Sequence, residues 1–369
     1  MRMTQLKTIA DIQTGPFGSQ LHKEDYVETG TPIVTVEHLG NRVFTEQNLP
    51  RVSDSDKARL IKYTLSTGDI VFSRVGSVDR CSYVDKSHDG WMFSGRCLRV
   101  RPTELVDSLY LYYYFCLEET KQFVRNIAVG ATMPSINTKL LGEVEIALPD
   151  LNNQKRIAAV LSSLDDKIEN NQKLNDNLQQ QAQAIYSSMF IDNPDPAWSH
   201  GHLSDLITVK YGKDHKKLAE GIYPVYGSGG IMRYVERPLY NKESVLIPRK
   251  GTLNNVMYVN QPFWSVDTMF YTEMKLPNVA KFVYHFVKAK DLASMNAGSA
   301  VPSMTTDILN AMEVVIPSAS ALEEFESLVA PMYEAMEAND VQSKALSQMR
   351  DTLLPKLMSG EIDVSDIQL

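Results

Sequence analysis

Between residues 151 and 190 the chain carries a polar sequence in which apolar positions recur at alternating steps of four and three: Ile157, Leu161, Leu164, Ile168, Asn171, Asn175, Leu178, Ala182, Ile185 and Met189. A period of 3.5 residues is the pattern of a coiled-coil seam, in which each apolar side chain fills a hole on a second helix. The stretch LNNQKRIAAVLSSLDDKIENNQKLNDNLQQQAQAIYSSMF therefore predicts one long helix that needs a partner. About 40 residues rising 1.5 Å each make a rod of roughly 60 Å. Adding 168 to each number gives Phe325, Val329, Met332, Met336, Asn339, Ser343, Leu346, Arg350, Leu353 and Leu357, a second copy of the same seam. Arg350 interrupts this copy, and Pro331 and Pro355 each remove a backbone donor, so the second helix is expected to start late and kink late. The two copies are expected to pair with each other, antiparallel about a pseudo-two-fold axis. Buried polar residues in such seams fix register, so Asn171 and Asn339 are expected to lie close together at the crossing point.

The same offset governs what precedes each helix. GATMPSINTKLL at 130–141 and GSAVPSMTTDIL at 298–309 begin a 20-residue alignment with seven identities, Gly130, Pro134, Ser135, Thr138, Leu141, Glu145 and Pro149 in the first copy. Residue types used at roughly 5–10% each give about one or two by chance. A single repeat at this spacing indicates a duplicated domain rather than a solenoid. Short β-type runs such as TPIVTV, GDIVFS and SVLIP, separated by Gly, Pro and Asn turns, fill the rest. The predicted fold is thus two copies of an α/β (α+β) domain joined by two long antiparallel coiled-coil helices with an internal pseudo-two-fold: a first domain at 1–149, a first helix at 150–192, a second domain at 193–317, and a second helix with its tail at 318–369.

Charge changes the picture only once it is divided. The net charge of −8 argues against a nucleic-acid partner, but the four segments carry −1, −2, +2 and −7, and residues 210–250 alone hold nine basic side chains against four acidic. A basic surface is therefore available. The absence of an 18-residue apolar run and of a signal-like start in MRMTQLKTIADIQ leads us to expect a cytoplasmic protein without a membrane partner. Cys81, Cys97 and Cys116 lack CxxC spacing and nearby His pairs, and are expected to be reduced core thiols without metal.

Chemistry is concentrated in glycine-rich turns. GDIVFSRVG and KESVLIPRKG both end a strand in Arg-x-Gly, a turn that exposes a guanidinium and lets backbone amides approach a ligand; phosphate or a guanine edge would suit it. DIQTGPFGSQL at 11–21 and VKYGKDHKK at 209–217 are corresponding loops of different composition, which suggests related but distinct targets. VYGSGG at 225–230 resembles a cofactor-cradling turn, yet strand formers and a Pro follow it instead of a helix. GxxxxGK[ST], HExxH and the Asn/Asp-Pro-Pro-aromatic motif of amino-methyltransferases are absent from the sequence.

The combination of DIQTGPFGSQL, GDIVFSRVGS, GATMPSINTKLL with its copy, and LNNQKRIAAVLSSLDDKIENNQKL, in the order domain, Pro-led helix, domain, helix, resembles the specificity subunit of type I restriction-modification systems over essentially the whole chain. That resemblance implies a non-catalytic DNA-recognition subunit. Each domain would read half of a split site in double-stranded DNA, while the helices set the spacer and dock methyltransferase subunits, two of them expected, with restriction/translocase subunits as further partners. It implies no cofactor on this chain, with S-adenosylmethionine, Mg and ATP confined to the partners. Candidate DNA contacts are Phe17, Ser19, Arg74, Arg80, Thr132, Ser135 and Asn137 in the first domain, and Tyr211, Lys213, Lys216, Tyr226, Ser228, Arg249, Lys250, Asn254 and Ser303 in the second. Two other readings stay open on sequence: a coiled-coil protein-interaction scaffold that never touches DNA, and a stand-alone S-adenosylmethionine-dependent enzyme.

Overall fold

The computed structural model describes residues 2–295, 303–365 and 367. Its contacts divide the chain into two units, Met1–Asn171 with Val341–Leu369, and Gln172–Asp340, so the unit boundary falls inside both long helices.

The first unit runs β1 (Arg2–Gln5), β2 (Ala10–Thr14), β3 (Tyr26–Val27), β4 (Thr31–Val34), β5 (Arg51–Val52), α1 (Asp54–Arg59), β6 (Ile70–Ser73), β7 (Cys81–Tyr83), β8 (Met92–Phe93), β9 (Cys97–Pro102), α2 (Ser108–Cys116), α3 (Glu118–Ile127), α4 (Thr138–Gly142), β10 (Glu145–Leu148) and the start of α5 (Leu151–Ser187). Its main sheet has the order β2-β9-β6-β7, a second sheet has the order β3-β5-β4-β8 with β4 and β8 parallel, and β1 pairs with β10. β6, apolar except for its last residue Ser73 and fully buried, is a central strand. The helix α2, capped by the Asp107 carboxylate on the Tyr110 N–H, packs tyrosines and Phe115 into the core shared by Ile157, Leu161, Leu354 and Leu357 of the long helices. This end of the long-helix pair thus gains its stability from tertiary packing rather than from propensity.

The second unit repeats this plan: β11 (Ser199–His202), α6 (Leu203–Leu206), β12 (Ile207–Tyr211), β13 (Glu220–Gly227), β14 (Gly230–Val235), β15 (Ser244–Pro248), β16 (Met257–Val259), β17 (Trp264–Ser265), β18 (Met269–Met274), α7 (Ala280–Lys288), α8 (Thr306–Asn310), β19 (Glu313–Ile316) and α9 (Ala319–Ser359). The order β12-β18-β15-β16 matches that of the first main sheet, and β13 and β17 form the parallel pair. VYGSGG is a tight hairpin between β13 and β14, closed by Gly227 opposite Gly230, and cradles no helix terminus.

The long helices pair antiparallel within each unit. In the first, Arg350 binds Asp165 at 2.7 Å, and Asp165 also accepts the Tyr113 hydroxyl at 2.7 Å. Arg350 therefore does not break the seam; it neutralises a buried carboxylate. Asn171 donates to Gln342 at 2.9 Å and to Ser343 at 3.1 Å. In the second unit, Asn339 donates to Asn175 at 2.9 Å, and Asn175 to Asp340 at 2.8 Å. Asn171–Ser343 and Asn339–Asn175 are the same contact under the 168-residue offset. Asn171 and Asn339 thus take equivalent places in consecutive layers of the seam. A correction concerns α9, which starts at Ala319 and continues through Pro331 and Pro355. Both prolines are exposed, where carbonyls losing a helical donor face water, and apolar anchoring by Phe325, Val329, Leu354 and Leu357 on the other face outweighs one missing bond each.

Every seam position is buried or half-buried: Ile157, Leu161, Asn171, Phe325 and Val329 fully, and Leu164, Ile168, Leu178, Ile185, Met332, Met336, Asn339, Leu346 and Leu353 in part. Cys81 and Cys97 are buried free thiols, and Cys116 is half-buried; burial pushes the Cys97 thiol up to about 12. No helix among the described residues is long and apolar enough to cross a membrane, and those residues include no metal-binding group of three or more His, Cys, Asp or Glu.

His285 of α7 is fully buried in the second unit, with Nδ1 2.8 Å from Gln183 Oε1 of α5 and Nε2 2.9 Å from the Tyr333 hydroxyl of α9. Burial, aided by Lys288, lowers its pKa to about 4. The unfolded chain takes up this proton near pH 6.5, so the stabilisation is complete above that value and is lost as pH falls from 6.5 towards 4. The loss amounts to about 3 kcal/mol. Urea unfolding of the second unit at a series of pH values should show this slope, and His285→Gln should remove that part of it.

Candidate nucleic-acid interface

Three chain segments meet at one end of each main sheet, and the two units build this meeting point alike. In the first, Arg74 follows β6 and enters a left-handed turn at Gly76 (φ 76°); its N–H donates to Arg96 O, and its O accepts from Ile136 N of the GATMPS loop. In the second, Arg249 follows β15 into a turn at Gly251 (φ 87°); its N–H donates to Thr268 O, and its O accepts from Met304 N. The bridges Val75–Ser135 and Lys250–Ser303 also correspond. The loop after the first strand completes each site. A Cβ on Gly15 would stand 2.2 Å from Ser94 O, and one on Gly212 2.0 Å from Val266 O, so only glycine allows these loops to lie so close.

That packing brings each arginine over an aromatic ring. The Arg74 guanidinium sits 6.0 Å from the Phe17 ring centre, and the Arg249 guanidinium 5.4 Å from that of Tyr211. Phe17 is 62% and Tyr211 51% exposed, although the two rings occupy different positions in their loops. Arg74 Nη1 donates to Gly95 O at 3.1 Å and Arg249 Nη1 to Asp267 O at 3.2 Å, which fixes each fork while the remaining N–H groups stay available. A held, planar cation beside an exposed ring can pair bidentately with a base edge or phosphate and stack on a sugar or base.

The other sequence candidates divide. Lys213, Lys216 and Lys250 are exposed on the loops around Arg249, and Ser228 is half-buried beside Gly251. Thr132 and Arg80 are exposed in the first unit, with the Arg80 guanidinium lying against Gly40. Ser135 donates its hydroxyl to Val129 O at 3.1 Å, and Ser303 is half-buried. Ser19 lies in the short turn Gly18–Gln20, and its side chain is outside the described residues, as are 298–302 of the second GATMPS-type loop. Three candidates also have structural duties. Asn137 caps α4 by accepting the Leu140 N–H at 2.9 Å. Asn254 is occupied at both ends, by Asp291 and the Ala293 N–H. Tyr226 is 8% exposed, packed in a core cluster with Phe263. Arg96, not among the sequence candidates, is exposed between the Phe17 loop and the Arg74 backbone; with Thr268 as its counterpart, the repeat gave no signal for it.

A sequence profile described as type I restriction modification DNA specificity domain matches residues 1–180 and 197–325. The type I restriction enzyme MjaIX specificity subunit of Methanocaldococcus jannaschii is 27% identical over 310 residues, 72% of each chain. The HindI specificity subunit of Haemophilus influenzae is 21% identical over 82% of this chain and 88% of its own. In fold, the chain resembles the crystal structure of a type I restriction-modification S subunit from Mycoplasma genitalium, with a TM-score of 0.61 at 20% identity, covering 96% of this chain and 95% of that one.

Proposed function

The chain belongs to the type I restriction-modification DNA specificity family, and on that premise we propose that it reads a bipartite site in double-stranded DNA, one half per unit, as the non-catalytic recognition subunit of such a system. The recognition domains are 1–149 and 193–317, and the helical segments 150–192 and 318–369 set the spacer and dock two methyltransferase subunits. What carries this reading is the repeated arginine turn, Arg74 and Arg249 on corresponding backbone, each beside an exposed ring, Phe17 and Tyr211, supplied from a different position of a loop of different sequence. Corresponding frames with divergent loops are what two different half-sites require. Lys213, Lys216 and Lys250 supply phosphate contacts that position the second domain.

Docking is supported by apolar side chains left exposed on the long helices, Leu174, Leu328, Val341 and Met349, which further helices in a bundle would cover. S-adenosylmethionine, Mg and ATP belong to the partner subunits, restriction/translocase subunits included, and the complex acts in the cytoplasm. Selection from a random duplex library by the chain assembled with its methyltransferase partners tests the reading: two fixed blocks separated by a constant number of unspecified base pairs are expected. Enrichment of no sequence would contradict it and would favour the scaffold reading.

A further inference from the structure

The hairpin β13–β14 of the second unit leaves an apolar surface in water. Ile222 is 78%, Met232 61%, Ile231 48% and Tyr234 38% exposed. β14 is the edge strand of its sheet, and an apolar edge left uncovered invites association. Its position shows what covers it. The hairpin tip is bound to the Arg249 turn through Asn255 Nδ2 to Ser228 O at 2.8 Å, and a Cβ on Gly251 would stand 2.8 Å from Ser228 Oγ. On the other side Val266 N donates to Tyr226 O at 3.1 Å, and Val266 O is the atom against which Gly212, next to Tyr211, is packed. The Met232 thioether lies across Gly227, 2.5 Å from where its Cβ would be. The apolar hairpin is therefore continuous with the Arg249–Tyr211 pair and flanked by the exposed cations Lys213, Lys216, Lys217 and Lys250.

We propose that the β13–β14 hairpin enters the major groove of the second half-site and reads thymine by contact of Met232 and Ile231 with its C5-methyl group. A major groove about 12 Å wide admits a two-stranded ribbon, and the thymine methyl is the one apolar feature of its floor. The surrounding lysines hold the phosphates on either side, an arrangement that suits DNA better than an apolar protein surface. In the first unit the strand matching β14 is β5, two residues long against six in β14 and covered by β3. Methyl readout by this ribbon is thus assigned to the second half-site, which deepens the recognition reading above and rests on it.

The test uses the whole complex with its methyltransferase subunits and duplexes of the selected site in which deoxyuridine replaces thymine in one half-site at a time, removing only the methyl. In one half-site the replacement should weaken binding by about fourfold per contacted methyl, with no change in the other. For the double variant Ile231→Thr/Met232→Ser, thymine and uracil duplexes should bind alike. Both substitutions are at exposed positions, so the thermal midpoint should be unchanged. Equal binding of thymine and uracil duplexes by the unsubstituted complex, a penalty that persists in the variant, or concentration-dependent self-association that the same substitutions abolish would each overturn the proposal. Loss of all sequence preference in the unsubstituted complex would instead overturn the DNA-recognition reading, and this inference with it.

Discussion

Inserting one heptad into each long helix, after Asn171 and at the matching point after Asn339, is expected to abolish methylation of the original site and to create a new site with the same two half-sites further apart. Seven residues are close to two full helical turns, so the seam stays in phase with a drift of only about 20°. They add about 10.5 Å of helix, which allows at most about three base pairs at 3.4 Å each. Each added base pair also turns the duplex by about 35°, which favours the smaller changes. The spacer should therefore lengthen by one to three base pairs. Mapping of methylated adenines in a host carrying the altered chain checks this; a changed half-site sequence would show that the helices do more than measure. Insertion into one helix alone should unfold the pair, because the register set by Asp165–Arg350, Asn171–Ser343 and Asn175–Asn339 cannot then be kept along the seam.

Replacing Arg249 by Ala is expected to weaken specific binding by about fivefold to 150-fold, equivalent to about 1–3 kcal/mol, and to relax sequence preference in one half-site only. Arg74→Ala should do the same to the other. The guanidinium of each is held by a carbonyl and lies beside an exposed ring, so little ordering remains to be done on binding. Lysine at either position keeps the charge but loses the planar fork. It should recover non-specific affinity without recovering sequence preference.

Much of this architecture was legible in the sequence because its signals are local or repeated. The 3.5-residue period needs only neighbouring residues, and the offset of 168 carried over to α4 and α8, which begin at Thr138 and Thr306, and to β10 and β19, which begin at Glu145 and Glu313. Arg74 and Arg249 stood out because a strand ended in Arg-x-Gly twice. What escaped depends on contacts distant in the chain. The prolines of α9 proved tolerable because packing on the far face holds the helix. Asn137 and Asn254 read as adenine-binding amides, while the structure also gives them a cap at Leu140 and a brace at Asp291 that no local signal announced. Tyr226 sits in a glycine-rich string that suggested exposure, whereas strand pairing turns its ring inward. Arg96 stands opposite Thr268, and the six-residue β14 opposite the two-residue β5, so the repeat pointed to neither.

The most direct test of the central claim, that each unit reads its own half of the site, is to repeat the library selection with the Arg74→Ala and Arg249→Ala chains side by side. The account predicts that each variant blurs a different block and leaves the other block and the spacer intact. If both variants blurred the same block, or either one blurred both equally, the two units would not be independent readers.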